Sequence, residues 1–413
     1  LRLPYIKELG VGVIYLNPIF MAYSNHRYDT ANYMKVDPML GTEEDFKNLC
    51  AEAHAMDIKI ILDGVFSHTG SNSIYFDKNK IFGGGAYSDE NSQYKSWYTF
   101  EKYSGKYTSW WGIDTLPCVN ELDSTYMDYI IREKNSVVEH WLKAGADGFR
   151  LDVVDEIPDE FVSILRKQIK KIKPGALLIG EVWEDASNKI SYGKRRKYFA
   201  DSELDSVMNY PFRESIIGYV KGSITGTNFK ERIMTIVENY PRMVVNCLMN
   251  VLSTHDTRRV LTEFGDDGKT RTKAEKAYFR LGGKELERAL AFEMLAVLIQ
   301  FTLPGMPCIY YGDEIGMEGY EDPLNRCFFS WDKVNENLRG FYAKLAKIKN
   351  ENLPLKIGNV YFRACGGNSI EFVREYEGNR VVVKAVRADW EYKGKDTLFT
   401  LKTPYASAII YKE

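Results

Sequence analysis

The 413-residue chain has only six cysteines, and no two of them form a CxxC pair. Cys50, Cys118, Cys247, Cys308, Cys327 and Cys365 are scattered, so both metal-site spacing and the density of a small disulfide scaffold are missing. Reduced, mostly buried thiols are expected. An excess of either charge is missing too: 55 Lys+Arg face 57 Asp+Glu, a net charge of −2. That argues against a dedicated nucleic-acid binder, whose affinity rests on neutralising phosphates. The most apolar stretch, Ala289 to Tyr311, is interrupted by Glu293, Gln300, Pro304 and Pro307, which excludes a membrane span there. No internal repeat, low-complexity tract or signal peptide is found. The chain opens on Leu1-Arg2-Leu3-Pro4 without a methionine, so the compartment is not read from that end. With reduced thiols, a cytoplasmic location is the expectation.

What remains is ordinary globular composition, 45% hydrophobic and 27% charged, which excludes disorder, collagen and coiled coil. At roughly 150 residues per domain the length suggests two or three domains, or one large domain with extensions. Aromatic residues are plentiful, with 28 Tyr, 21 Phe and 7 Trp. Flat apolar rings suit sugar faces, and they equally suit a large core.

One rhythm runs along most of the chain: a short apolar run, an amphipathic helix, another apolar run. Gly12 to Ile19 reads as a strand. Thr42 then caps a helix whose first turn carries Glu43, Glu44 and Asp45, where acidic groups suit the helix dipole. Phe46, Leu49, Cys50, Ala53 and Met56 form its apolar stripe. Further strands are expected at Ile58 to Phe66, Gly145 to Val153, Ala176 to Val182, Leu204 to Met208, Cys247 to Leu252 and Pro307 to Tyr311. Helices are expected at Met127 to Lys143, Glu160 to Lys173 and Lys284 to Phe301. Seven apolar strands alternating with helices mark a parallel sheet covered by helices. A doubly wound sheet and a (β/α)8 barrel both fit. Two segments break the rhythm. Thr69 to Asp123 is long, polar and aromatic, an excursion inserted after a strand. From about Leu353 the helices give way to short alternating strands (Ser369 to Glu375, Arg380 to Val386, Ala406 to Tyr411), a small all-β domain.

Polar residues gather at the strand ends, where barrel active sites are built. The ends read Asp63-Gly-Val-Phe-Ser-His68, Gly148-Phe-Arg150-Leu-Asp152, Gly180-Glu181-Val-Trp183 and Ser253-Thr-His255-Asp256. Arg150 and Asp152 lie two apart on one strand and share a face. The guanidinium is expected to lower the Asp152 pKa and keep it ionised, as a nucleophile must be. Glu181 closes a nearly all-apolar strand, surroundings that are expected to raise its pKa and favour a protonated general acid. Two carboxyls shifted in opposite directions are what glycoside hydrolysis requires.

In order, these four strand ends resemble the four signature regions of the α-amylase family of glycoside hydrolases. Gly12-Val-Ile-Tyr-Leu-Asn-Pro-Ile19 and Leu116-Pro-Cys-Val-Asn120 resemble the same family, over about Gly10 to Asp332. The resemblance implies a (β/α)8 TIM barrel from residues 1–68 and 124–350, an inserted B-domain at 69–123 after the third barrel strand, and a C-terminal β-sandwich at 351–413. It assigns the nucleophile to Asp152, the general acid/base to Glu181 and the transition-state-stabilising third carboxylate to Asp256. Arg150 supports the nucleophile, His68 and His255 hydrogen-bond the sugar beside the scissile bond, and Tyr28 stacks under it. Asp322 and Arg326 reach the next sugar out. His26, His54 and His140 are left as structural.

Glu156, Trp183 and Asn120 resemble the neopullulanase, cyclomaltodextrinase and maltogenic amylase subgroup, in which the Trp and the acidic residue border the +1 and +2 subsites. The activity implied is retaining cleavage of α-1,4, and in some members α-1,6, bonds in maltooligosaccharides, cyclodextrins, pullulan or starch. A 4-α-glucanotransferase on the same scaffold is the alternative. Partners beyond an α-glucan, whether nucleic acid or membrane, are not expected. No cofactor is expected either. Family members hold calcium through an Asn and a His where this chain has Ser67 and Glu156, and a serine hydroxyl is a poor calcium ligand. The family also has a barrel strand, and the subgroup an N-terminal β-domain that mediates dimerisation, ahead of the helix ending at Leu3 to Gly10. A homodimer is the expectation if such a domain precedes Leu1. Without it, seven strands leave the barrel open unless another strand fills the gap.

Overall fold

The computed structural model describes residues 2–101, 105–200, 203–392, 394 and 397–413. These form two compact units. The first comprises Leu1–Lys7, Val11–Val182 and Ala186–Val207, the second Glu8–Gly10, Trp183–Asp185 and Met208–Glu413.

The first unit is built on a parallel sheet of five strands in the spatial order Val13–Leu16, Lys59–Gly64, Gly148–Leu151, Leu177–Gly180, Ser206–Val207. Each lies inside its expected span, trimmed by a few residues at the ends. Apart from exposed Lys59 at one end, the central strands are almost wholly buried and mostly apolar, with Asp63 and Arg150 as charged residues within them, as a sheet covered by helices allows. Gly148 has φ +148°, and a Cβ there would meet Leu177 O at 2.1 Å, so only glycine allows the two strands to approach. Register decides the chemistry, because Asp63 lies directly opposite Arg150 on the neighbouring strand. The Thr42 helix runs from Glu43 to Ala55 and closes a capping box between Thr42 and Asp45. The single helix expected at Met127 to Lys143 is instead interrupted. Ser124–Met127 passes into a wider turn at Asp128–Arg132, and a second helix, Val137–Ala144, starts afresh. Asn135 at φ +64° and the Ser136 cap explain the break. An antiparallel pair, Phe20–Ala22 with Thr30–Val36, was not expected and forms its own small sheet. It does not join the parallel one. Among the described residues, Val13–Leu16 pairs only with Lys59–Gly64. Between Gly64 and Ser124 the described residues hold only single turns and isolated bridges, around aromatic contacts such as Phe76 with Tyr107.

In the second unit Met249–Val251 pairs in parallel with Met306–Cys308, and Met208 bridges to Met249. Its long helices are Tyr210–Lys221, Gly226–Asn239, Gly283–Thr302 and Glu336–Glu351. One more short helix, Leu353–Ile357, follows the point where helices were expected to end. The C-terminal sheet is antiparallel in the order Asn359–Cys365, Ser369–Tyr376, Asn379–Val386, Ser407–Lys412, Thr397–Lys402. Its first and last strands escaped the alternation pattern. Glu377 and Gly378, both at positive φ, supply the tight turn that a two-residue hairpin favours. Arg374 of this sheet is fully buried and donates to Thr302 O at 2.7 Å and Gly358 O at 2.9 Å, closing off carbonyls at a helix end.

All six cysteines are free. Cys50 alone is buried and Cys327 is exposed, so the expectation of mostly buried thiols is corrected. Among the described residues no helix is long and apolar enough to cross a membrane.

Candidate active site

The first unit gathers its functional side chains around one guanidinium. Arg150 is fully buried, with Nη1 2.9 Å from Asp63 Oδ1 and 2.9 Å from Asp152 Oδ1, and Nη2 2.8 Å from Glu181 Oε2. The parallel register sets Asp63 beside Arg150, and a spacing of two sets Asp152 on the same face. Glu181 reaches in from the next strand and accepts a second bond from the Val153 N–H at 2.9 Å. Val153 has φ +37° and ψ +55°, a strained conformation for a β-branched residue, and that conformation turns its N–H toward Glu181.

One electrostatic expectation needs correction. Asp152 was expected low. Burial instead pushes its carboxyl well above the usual range, opposed by Arg150 and reinforced by the charges of Glu181 and Asp63. Burial is the largest cause, and a single buried guanidinium that Asp152 shares with Asp63 and Glu181 does not offset it. Asp63 is pushed up by burial as well. Glu181 was expected in apolar surroundings, but its carboxylate meets Arg150 and a backbone N–H.

Asp63 and Tyr15 are site residues that sequence reasoning passed over. Asp63 accepts from the hydroxyls of Tyr15 at 2.5 Å and Tyr28 at 3.0 Å, and burial keeps both phenols protonated. The available signal was that Asp63 heads the first of the four polar strand ends. His68 is buried, its Nε2 3.1 Å from Tyr28 O and its Nδ1 3.0 Å from Ser67 Oγ. Burial lowers its pKa to about 4, so the ring is neutral at ordinary pH.

Farther along the same unit, Asn120 is exposed at the end of the long excursion, donating its N–H to Trp97 O. Burial raises the neighbouring Glu121 to about 8, with the Glu156 charge adding to the shift. Glu156 accepts from Trp111 Nε1 and from the Tyr192 hydroxyl. Ser67 Oγ lies 3.0 Å from His68 Nδ1, and both Glu156 oxygens accept hydrogen bonds from aromatic side chains. Among the described residues no group of three or more His, Cys, Asp or Glu is arranged to hold a metal ion. The histidines left as structural have partners of that kind: His54 meets Asp147 at 2.7 Å, His140 meets Glu43 at 3.2 Å, and His26 accepts from the Tyr28 N–H.

The second unit holds the other predicted residues as a group of their own. His255 Nε2 lies 3.1 Å from Asp256 Oδ2. Arg326 donates from Nε to His255 O at 3.0 Å, sits 3.5 Å from Asp256 Oδ1, and pairs with Asp322 at 2.8 Å. Buried Asn325, also passed over, donates to the carbonyls of Thr254, His255 and Thr257 at 3.1, 2.8 and 2.8 Å. That clamp fixes the turn carrying Asp256. Trp183 lies with its ring stacked on Tyr210 at 3.9 Å.

Comparison with known proteins yields a family and several relatives. The model described as "Alpha amylase, catalytic domain" matches residues 1–354. An amylopullulanase of Thermoanaerobacter thermohydrosulfuricus is 37% identical over a 442-residue alignment, covering 99% of this chain and 28% of that protein. Neopullulanase 2 of Thermoactinomyces vulgaris is 35% identical over 394 residues, covering 92% of this chain and 60% of its own length. Among solved structures, the type III pullulan hydrolase from Thermococcus kodakarensis has a TM-score of 0.82 at 28% identity, covering 99% of this chain and 70% of that one. The chain spans less than a third of the length of the amylopullulanases it matches.

Proposed function

The chain belongs to the α-amylase family of glycoside hydrolases, and from that premise we propose that it cleaves α-glucosidic bonds with retention through a covalent glycosyl-enzyme on Asp152. The fold is a TIM barrel with a C-terminal all-β domain. The observation that carries the mechanism is Arg150, which touches Asp152 with one arm and Glu181 with the other. One guanidinium thus holds the proposed nucleophile and the proposed acid/base, the two carboxyls that glycoside hydrolysis needs, and retention is the family's chemistry applied to that pair.

Glu181 donates a proton to the glycosidic oxygen as the Asp152 carboxylate attacks the anomeric carbon from the opposite face. The aglycone departs. Glu181, now a carboxylate, removes a proton from water, which displaces Asp152 and restores the original configuration. Asp63 holds Arg150 in place and is itself held by the hydroxyls of Tyr15 and Tyr28. Asp256, with His255, matches the family's third carboxylate and is assigned that role. The relatives bear the names of hydrolases acting on pullulan and cyclomaltodextrin. We infer maltooligosaccharides, cyclodextrins and pullulan as substrates, with water as the acceptor. The excursion at 69–123 is read as an inserted domain between the barrel segments 1–68 and 124–350, and 351–413 as the C-terminal domain. Calcium is not required at Ser67 and Glu156, because their oxygens already have protein partners.

Turnover of β-cyclodextrin, pullulan and soluble starch, with the first product's anomer followed by proton NMR, tests the proposal. The α-anomer from at least one substrate is expected. A β-anomer, or no turnover of any of the three, would refute it.

A further inference from the structure

Two exposed aromatic rings in the first unit are tied to one carboxylate. Trp111 is 78% exposed and Tyr192 75% exposed, which is unusual for side chains this large and apolar. Trp111 donates Nε1–H to Glu156 Oε1 at 3.3 Å, and the Tyr192 hydroxyl donates to Glu156 Oε2. Both residues also sit in left-handed backbone, each at φ +50°. That region is costly for aromatic residues and persists where the surroundings impose it.

The surroundings do impose it. Tyr192 and Gly193, both at positive φ, turn a two-residue hairpin between Ile190–Ser191 and Lys194–Arg195, the backbone that such a turn favours. The hairpin is fastened to the segment just after Asp152. Ser191 Oγ donates to Asp155 O at 2.9 Å, Lys189 Nζ lies 2.9 Å from Asp155 Oδ2, and Arg196 reaches Asp155 O and Asp159 at 2.7 Å each. Trp111 leans on Trp110 at 5.6 Å, and Trp110 packs on His68 at 5.7 Å. Each ring therefore has its polar end fixed and its apolar body left to solvent, on a carboxylate four residues along the chain from the proposed nucleophile.

We propose that Trp111 and Tyr192 form a stacking platform for an outer glucose unit of the bound α-glucan, and that Glu156 acts as the positioning residue that holds the two rings. The C–H face of a glucose unit is flat and apolar, and covering it with a ring removes both surfaces from water. Glu156 then works through its two hydrogen bonds to the aromatic side chains, not through its charge on the sugar. This rests on the α-glucan reading above and extends it to two residues that the signature motifs do not include.

The test compares maltotriose with maltoheptaose in Trp111→Ala, Tyr192→Ala, Glu156→Ala and Glu156→Gln. Truncating either ring is expected to raise KM for maltoheptaose roughly tenfold, the scale of a single strong stacking interaction. The rise should be smaller for maltotriose, and the defect should fall on KM more than on kcat, as uniform binding predicts. Thermal melting of the two ring variants reports folding, which exposed side chains barely influence. Glu156→Ala should reproduce the KM defect. Glu156→Gln, which keeps an oxygen for Trp111 and can pair through its amide with the Tyr192 oxygen, should recover most of it. Unaltered chain-length dependence in both ring variants overturns the platform. Equal defects in Glu156→Gln and Glu156→Ala overturn the positioning role. If the wild-type chain turns over neither oligosaccharide, the functional reading fails instead.

Discussion

Val153 donates its backbone N–H to the Glu181 carboxylate at 2.9 Å from a conformation with φ +37°. The residue next to the proposed nucleophile thus aims the proposed acid/base. Strain of this kind costs about 1–3 kcal/mol and persists where the fold over-determines it. Val153→Gly would relieve the strain while adding about 1 kcal/mol of unfolded-state entropy. We expect a stability change within about 1 kcal/mol. Because Glu181 becomes less fixed, kcat should fall about tenfold. Calorimetry and kinetics on the same preparation check the pair, and undiminished kcat would remove Val153 from the account.

Asp63 is one of three carboxylates on a single arginine. Its charge raises the Asp152 pKa, so Asp63→Asn should let Asp152 ionise at lower pH. The acid limb of kcat/KM reports ionisation of the free enzyme's nucleophile. That limb should therefore move down, by about one unit. A pH–rate profile checks the sign, and an upward move would mean that Asp63 serves mainly to hold Arg150.

Asn325 donates one amide group to three carbonyls of the turn that carries Asp256. Asn325→Asp keeps the shape but places an acceptor against acceptors. At neutral pH kcat should fall about a hundredfold, since small misplacements at a reacting centre cost that much. As pH falls and the new carboxyl gains a proton, it can donate again, and activity relative to wild type should recover. A constant ratio across pH would contradict the clamp.

His68 carries a folded-state pKa of about 4 against an ordinary 6.5. Its depression means that the unfolded chain binds more protons between those values, so the neutral ring's contribution is complete above about pH 6.5 and is lost as pH falls toward 4. A shift of that size corresponds to roughly 3 kcal/mol. Urea unfolding at pH 7 and pH 4.5 should show a smaller acid loss in His68→Gln than in wild type. An equal loss in both would place the acid sensitivity elsewhere.

Much of this site was legible in the residues, and the reason is periodicity. A spacing of two sets Arg150 and Asp152 on one face whatever the surrounding sheet does, and the ion pair at 2.9 Å follows. Asp63 was harder to see as a partner because its pairing with Arg150 depends on the register between two strands 87 residues apart, which no local pattern encodes. The same gap misled the electrostatics: one arginine beside one aspartate reads as a depressed pKa, whereas burial, with three acids sharing that arginine, raises it. Asn325, and the meeting of Trp111 and Tyr192 on Glu156, were invisible for a related reason, since each depends on loops meeting in space. In the fold, the helix broken near Asn135 shows that apolar periodicity can run straight through a capped restart.

The central claim is that Asp152 bonds covalently to the sugar. In Glu181→Gln, treatment with α-maltosyl fluoride, whose fluoride leaves without acid assistance, should accumulate the glycosyl-enzyme because no base remains to activate water. Peptide mass spectrometry after acid quenching should find the maltosyl group on the peptide containing Asp152. An adduct on Asp63, or fluoride release with no adduct on any peptide, would contradict the account.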